Sequence, residues 1–259
     1  MALVDLVILR LDPYQIQPEF CCVCDTRIES NEYGHGPRPI CERCSTRVKC
    51  VSCGIPIFQL EPHQKIDAGI RACNSCLPDL VVHAPMLGRL FRIALIAVDT
   101  ALSIRIQNLK EVKLVSRSEV IRHGRRARLD QGGSPLDIAA TASQNGTILV
   151  RRGERRDSAF GILCHEIGHM WQYENWANVD ALDPVIREGF CEWVALHGLL
   201  QHGYETQARK RLARRDRIYG AGLRYFVELA KVVPEWEILN GQVHFPHFLG
   251  RVKERYSPG

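Results

Sequence analysis

The sequence has no long apolar run. Its longest candidate, Leu90–Leu102, contains Arg92 and Asp99 and is too short to cross a bilayer. The opening stretch Met1–Leu11 is broken by Asp5 and Arg10, and no small-residue cleavage site follows it, so it does not read as a secretory signal. Charge of one sign is also scarce: a net charge of +5 permits a nucleic-acid role without arguing for one. Two arginine clusters, Arg122–Arg128 and Arg209–Arg217, lack the interleaved aromatic residues on which bases would stack. Both read as solvated, the first in a loop ending at Gln131-Gly132-Gly133, the second on a helix beginning near Glu205. A cytoplasmic protein with no membrane partner is expected, and a nucleic-acid partner is argued against. With 46% hydrophobic and 24% charged residues in 259, the chain is long and apolar enough for one or two domains with a real core.

Cysteine is what the sequence has in excess. Eight of its eleven cysteines form four C-x-x-C pairs: Cys21/Cys24, Cys41/Cys44, Cys50/Cys53 and Cys73/Cys76. Each pair presents two thiolates to one tetrahedral Zn²⁺, so four pairs make two closed structural sites. Disulfides would need an oxidising compartment, to which nothing in the sequence directs the chain. Gaps of 16, 5 and 19 residues between successive pairs suggest two consecutive four-cysteine units, with the short gap as a hinge. A cross-braced pairing, first with third and second with fourth, has the same cysteine count. Residues 1–19 then form a lead segment and 20–78 a two-zinc module with too little apolar content to fold without its ions. Leu77–Pro85 is the boundary, and 85–259 the second domain.

That second domain carries His165-Glu166-Ile167-Gly168-His169. Residues four apart share one helix face, so both imidazoles can reach one ion, with Glu166 beside it as general base for an activated water. After eighteen intervening residues comes Glu188, which completes a His-His-Glu set of the kind that binds catalytic zinc. Asp183-Pro184 reads as N-cap and first residue of a helix running to about His202, with Glu192 one turn beyond Glu188 to orient a ligating histidine. The bland alternative is two amphipathic helices whose polar residues face water. Tyr219, among small residues in Tyr219-Gly-Ala-Gly222, is the candidate donor to a developing oxyanion, with His197 and His202 in reserve; its alternative is a core tyrosine. Cys164 and Cys191 read as buried free thiols, and Cys22 is left over.

Around these motifs a helix is expected over Pro85–Ala101, and short strands within Glu111–Val120 and Asp137–Thr141. A turn at Asn145-Gly146 leads into a strand at Thr147–Arg151. Thr147–Val150 is a candidate edge on which an extended peptide could lie, or an ordinary sheet edge. Asp157 or Ser158 is expected to cap the metal helix.

The cysteine spacing resembles a LIM domain, with Cys41 where a histidine is usual and a longer linker. The His165–His169 and Arg187-Glu188-Gly189-Phe190 motifs resemble the gluzincin peptidases. Together with Glu188-Gly-Phe-Cys191 and Tyr219-Gly-Ala-Gly222, the whole arrangement resembles the plant LIM-peptidase family, ubiquitin-activated regulators of organ growth. The resemblance implies an α+β protein: a small zinc-stapled LIM-like module, then a mainly helical gluzincin-like peptidase domain with a small sheet. It implies His165, His169 and Glu188 as ligands of one catalytic Zn²⁺, Glu166 as base, the eight paired cysteines as ligands of two structural Zn²⁺, protein or peptide substrates, and partners in the ubiquitin pathway. No ubiquitin-interacting helix is legible ahead of Cys21. Three other readings stay open: a LIM-type adaptor with an inactive peptidase fold, a SprT-like protease acting on DNA-bound proteins, and a non-peptidase zinc hydrolase.

Overall fold

The computed structural model describes residues 20–21, 27, 41–45, 47–57, 62–67, 69–128 and 139–241. The lead segment, Cys22, Cys24, the Gln131–Gly133 loop, the start of the Asp137–Thr141 run and the tail after 241 lie outside them. Within them the protein is mixed α+β: helices dominate, and the strands form small sheets.

The described residues of the cysteine-rich part form short elements. After a one-turn helix α1 (Glu42–Ser45), strands β1 (His63–Asp67) and β2 (Ile70–Cys73) pair as an antiparallel hairpin. A few apolar side chains, Ile57, Ile66, Ala72 and Leu80, pack with Cys50 into a small cluster of their own.

The junction to the helical part is a two-residue strand, β3 (Leu80–Val81). It pairs antiparallel with β7 (Glu154–Arg155), which runs directly into the helix that begins at Arg156. Successive strand residues point to opposite faces. Leu80 accordingly joins the cysteine-module cluster and Val81 the main core, and both are fully buried. Asp67 of β1 accepts the Arg117 backbone N–H at 2.7 Å, a second tie between the two parts.

Helix α2 (Ala84–Leu102) forms where expected, burying Leu87, Leu90, Phe91, Ala94, Ala97, Val98 and Leu102 on one stripe. Strand β4 (Glu111–Val115) is the short strand expected within Glu111–Val120, and Ser116 then opens a new helix. The Ser116 Oγ accepts the Glu119 N–H at 3.3 Å, half of a capping box that Ser116-Arg-Ser-Glu119 spells out. That helix, α3 (Arg117–Arg128), takes in the first arginine cluster, which is therefore helical and not in a loop.

Strands β5 (Ala140–Ser143) and β6 (Thr147–Arg151) form the expected hairpin. Asn145 Oδ1 accepts from Ser143 Oγ and from the Thr147 N–H, and Gly146 takes a φ of 88° that suits glycine. The sheet order is β4-β6-β5, with β4 parallel to β6. Thr147–Val150 is thus the central strand, and the expectation of a free edge there is overturned: both of its sides are already paired.

Among the described residues four α-helices follow α4 (Arg156–Asn175): α5 (Pro184–Gln201), α6 (Glu205–Leu212), α7 (Tyr219–Leu229) and α8 (Glu235–Leu239). Helix α4 begins at Arg156 with Arg155 as N-cap, so neither Asp157 nor Ser158 caps it. Asp157 instead lies in the first turn, accepting from the Ser158 N–H and Gln207. Asp183 does cap α5, accepting the Val185 N–H at 2.9 Å, with Pro184 as first helical residue. Among the described residues no helix is long and apolar enough to cross a membrane.

Candidate metal centre

Helix α4 is buried on nearly every face, from Ala159 to Gln172. A helix in that position normally carries apolar side chains all round. This one does not. Among the described residues the buried polar and charged side chains are His165, Glu166, His169, Gln172, Glu188 and Glu192, all on α4 and α5. Burying such groups is costly unless they are paired or hold an ion, which rules out the alternative of two helices with their polar faces in water.

Glycines set the approach of the helices. A Cβ on Gly168 would stand 3.0 Å from Cys191 Cα, and one on Gly189 would stand 2.6 Å from Gly222 Cα. Bare backbone at these positions lets α4, α5 and α7 come close enough for residues on three helices to share one site. The small residues around Tyr219 serve this close approach, as their sequence suggested.

At the centre, the Nε2 atoms of His165 and His169 each lie 3.3 Å from the same oxygen, Glu188 Oε2. Ligand atoms about 2.0–2.1 Å from a tetrahedral zinc are about 3.3 Å apart along each edge. The two edges that meet at Glu188 Oε2 therefore have the length of a zinc site's edges. The imidazoles' other faces are held from behind. Glu192 Oε1 lies 3.2 Å from His165 Nδ1, an ion-pair distance without the alignment of a full hydrogen bond. Gln172 Oε1 lies 3.2 Å from His169 Nδ1, and Gln172 Nε2 donates to the Arg187 carbonyl. Both rings thus turn Nε2 toward Glu188, the outer partners fixing the inner geometry.

The electrostatics follow. Burial works against a charged His165, but the Glu188 and Glu192 carboxylates outweigh it and raise its pKa to about 9. Burial would likewise raise Glu188, yet His169 and His165 hold it well below the ordinary carboxylate range. Glu192 is lowered too, Arg211 and then His165 overcoming its burial. Arg211 Nη1 meets Glu192 Oε2 at 2.6 Å and Arg214 Nη1 meets Oε1 at 3.3 Å. These two members of the second arginine cluster point inward, which corrects their reading as a solvated face; the helix itself ends at Leu212.

Glu166 is 6% exposed, and its Oε2 has no hydrogen-bond partner among the described residues. That oxygen belongs to the residue that adjoins His165 in α4.

Tyr219 opens α7, its ring 6.1 Å from that of His165, so it stands beside the site and not in the core. The reserve histidines go elsewhere. His202 stacks on Phe160 at 4.7 Å and His197 packs edge-on against Trp193 at 4.8 Å. Cys164 and Cys191 are fully buried, as expected. The Cys191 sulfur comes within 4.8 Å of a ring nitrogen of each histidine, close enough to enter a ligand group by distance alone. Its thiol lies within hydrogen-bond distance of Gln172 Oε1 at 3.3 Å, however, the same oxygen that faces His169 Nδ1, so it sits behind the histidine and not among the inward donors. Burial and the nearby carboxylates also push it well above the ordinary thiol range, which keeps it neutral.

The cysteines gather as consecutive pairs. The sulfurs of Cys50, Cys53, Cys73 and Cys76 lie within 4.8 Å of one another, as do those of Cys21, Cys41 and Cys44. Both groups could hold a metal ion; Cys24, the expected fourth member of the second, is outside the described residues. Burial opposes a Cys50 thiolate, but N–H groups of Cys53, Cys73 and Ser52 outweigh it and bring its pKa down to about 7. Cys53, Cys73 and Cys76 are raised instead, burial being the largest cause in each.

Gln172, Arg211 and Arg214 were not picked out from the sequence. Gln172 is three residues beyond His169 on one helix and was within reach of spacing. The arginines gave no signal, since Glu192 is 19 and 22 positions away from them.

The chain matches no protein-family model, no curated protein and no solved structure. Fold and site alone define its class: a mixed α+β protein with two cysteine groups able to hold metal ions and a buried His-His-Glu cluster between two helices.

Proposed function

We propose that the chain is a zinc-dependent metallopeptidase of gluzincin-like organisation, with the cysteine-rich part as a LIM-like zinc module for protein interaction. The observation that carries this reading is the shared Glu188 oxygen, 3.3 Å from both histidine Nε2 atoms, with Glu166, its Oε2 buried and without a hydrogen-bond partner among the described residues, adjoining His165 in the same helix.

His165, His169 and Glu188 would hold the catalytic ion, and the paired cysteines two structural ones. Zinc so held supplies a water of lowered pKa and polarises the scissile carbonyl. Glu166 takes the proton of the attacking water and returns it to the leaving amine. Glu192 and Gln172 keep the two imidazoles oriented through their Nδ1 atoms. Tyr219, its ring 6.1 Å from that of His165, would supply the phenol that donates to the oxyanion as it forms. Protein or peptide substrates are what the gluzincin-like motifs imply for it. The inward turn of Arg211 and Arg214 removes charge from the basic surface that a protease acting on DNA-bound proteins would use.

The test is zinc content and turnover, measured together. Wild type should hold three zincs per chain and His169→Ala two. Glu166→Gln should keep all three while losing peptide-library turnover by about 10²–10⁴-fold. Turnover near wild type in that variant would sink the mechanism, and two zincs in wild type would sink the site.

A further inference from the structure

Behind His165 the structure has a second layer, and one residue joins its parts. Arg214 leaves the end of the α6 segment and reaches three groups at once. Its Nη1 lies 3.3 Å from Glu192 Oε1, the oxygen that faces His165 Nδ1. Its Nε donates to Asp216 Oδ2 at 3.0 Å. The face of its guanidinium lies over the Tyr219 ring, 4.6 Å from the centroid.

Both neighbours of this guanidinium lead to the site. Asp216 Oδ1 accepts the N–H groups of Ile218, Tyr219 and Gly220, which fixes the start of α7 and with it the Tyr219 backbone. The Arg214 carbonyl accepts from Arg224 Nη1, one turn and more along the same helix. Gly220 has no room for a Cβ against that carbonyl, so the segment from Arg214 to Gly220 is folded tightly on itself. Arg211 cannot take over the link: it binds the other Glu192 oxygen and packs against Gly161 of α4, on the metal-helix side.

We infer that Arg214 is a positioning residue that holds Glu192 against His165 and the Tyr219 ring beside it in one arrangement. The inference rests on the peptidase reading. Only a planar, forked cation can serve a carboxylate through one nitrogen, a second carboxylate through another and an aromatic ring through its face. Lysine would keep the charge but lose the bridge.

The experiment compares Arg214→Ala, Arg214→Lys, Glu192→Gln and the Arg214→Ala/Glu192→Gln double variant in the full, zinc-loaded chain. The readouts are loss of the third zinc to a graded chelator and the effect of Tyr219→Phe on peptide turnover. Loss of an outer partner typically weakens metal binding by about 10–100-fold. Arg214→Ala should therefore release the third zinc about 10-fold more readily, with both structural zincs retained. The double variant should be no weaker than Glu192→Gln alone, because both changes break one path. Arg214→Lys should not restore wild-type retention. Tyr219→Phe should cost turnover in wild type and little further in Arg214→Ala.

A third zinc held as in wild type by both arginine variants would overturn the inference, as would effects of Arg214 and Glu192 that multiply. If Arg214→Ala loses all three zincs through misfolding, Arg214→Lys decides: a loosened third zinc supports the inference and an undisturbed one overturns it. Only two zincs in wild type would overturn the peptidase reading and this inference with it. Three zincs in wild type, with the third held against chelator as tightly in both arginine variants, would overturn this inference alone.

Discussion

Replacing Gly189 with alanine puts a methyl group where α7 already stands. The added Cβ would lie 2.6 Å from both Cα and C of Gly222 and 2.8 Å from its O. Carbon atoms rest about 3.5–4.0 Å apart, so the two helices must part by about 1 Å. Neither can yield by rotating a side chain, since the struck atoms are backbone. Both helices are also pinned, α5 by Phe190 and Trp193, α7 by Leu223, Tyr225 and Phe226, all at most 1% exposed. Overpacking of this kind costs about 3 kcal/mol at the upper end of its usual range. Alanine's better helix propensity returns about 1 kcal/mol. The expected net loss is about 2 kcal/mol, a fall in Tm of about 4–8 °C for a chain of this size. Glu188 precedes Gly189, so the shift should also loosen the third zinc. Gly88 is the control: it is exposed in the middle of α2, and a Cβ there meets nothing within 4 Å. Gly88→Ala should gain about 1 kcal/mol. Thermal melts of the two variants, with zinc counted per chain, decide the matter. If Gly189→Ala melts at or above wild type while Gly88→Ala gains, the close crossing of α5 and α7 is wrong.

Two more expectations concern thiols. Burial, opposed by Arg211, pushes Cys164 up to about 12, whereas the unfolded thiol ionises from about 9. Above pH about 9 the unfolded chain therefore binds fewer protons than the folded one. This stabilisation is complete below that pH and is lost as pH rises toward 12, by up to about 1.4 kcal/mol per pH unit. Urea unfolding of wild type and Cys164→Ala at about pH 8 and about pH 10 should show a steeper alkaline decline in wild type; equal slopes would refute the buried-thiol account. Cys73→Ser should remove one zinc from the cysteine module and lower the Tm of the helical signal as well. A helical melt unchanged by that loss would mean that β3 does not join the two parts.

What was legible in the sequence was local. His165, His169 and Glu166 share one helix, so their spacing alone put them together, and Glu192 followed from one turn of α5. Consecutive pairing of the cysteines was legible because a five-residue gap marks the join of two units. Strand order was not. That Thr147–Val150 is central depends on β4 pairing parallel to it across the whole of α3, which no local pattern records. The arginine cluster misled for a related reason: its charge pattern suits solvent, and only the fold brings Glu192 to Arg211 and Arg214. The helix at Arg117–Arg128 was legible and overlooked, since Ser116 and Glu119 carry the start signal ahead of the arginines.

The two-residue strand β3 has a thermodynamic consequence. Leu80 belongs to a cluster that contains Cys50, and Val81 to the core that holds α4. Any ion that binds the folded cysteine group and not the unfolded chain adds its binding free energy to that fold, growing with the logarithm of free metal. Through adjacent residues of one strand, that free energy reaches a helix with no cysteine ligand in the group. On the proposed reading, changes in free zinc would thus act on α4 twice: once at His165 and His169, and once through the stability of the module that its leading strand is paired to.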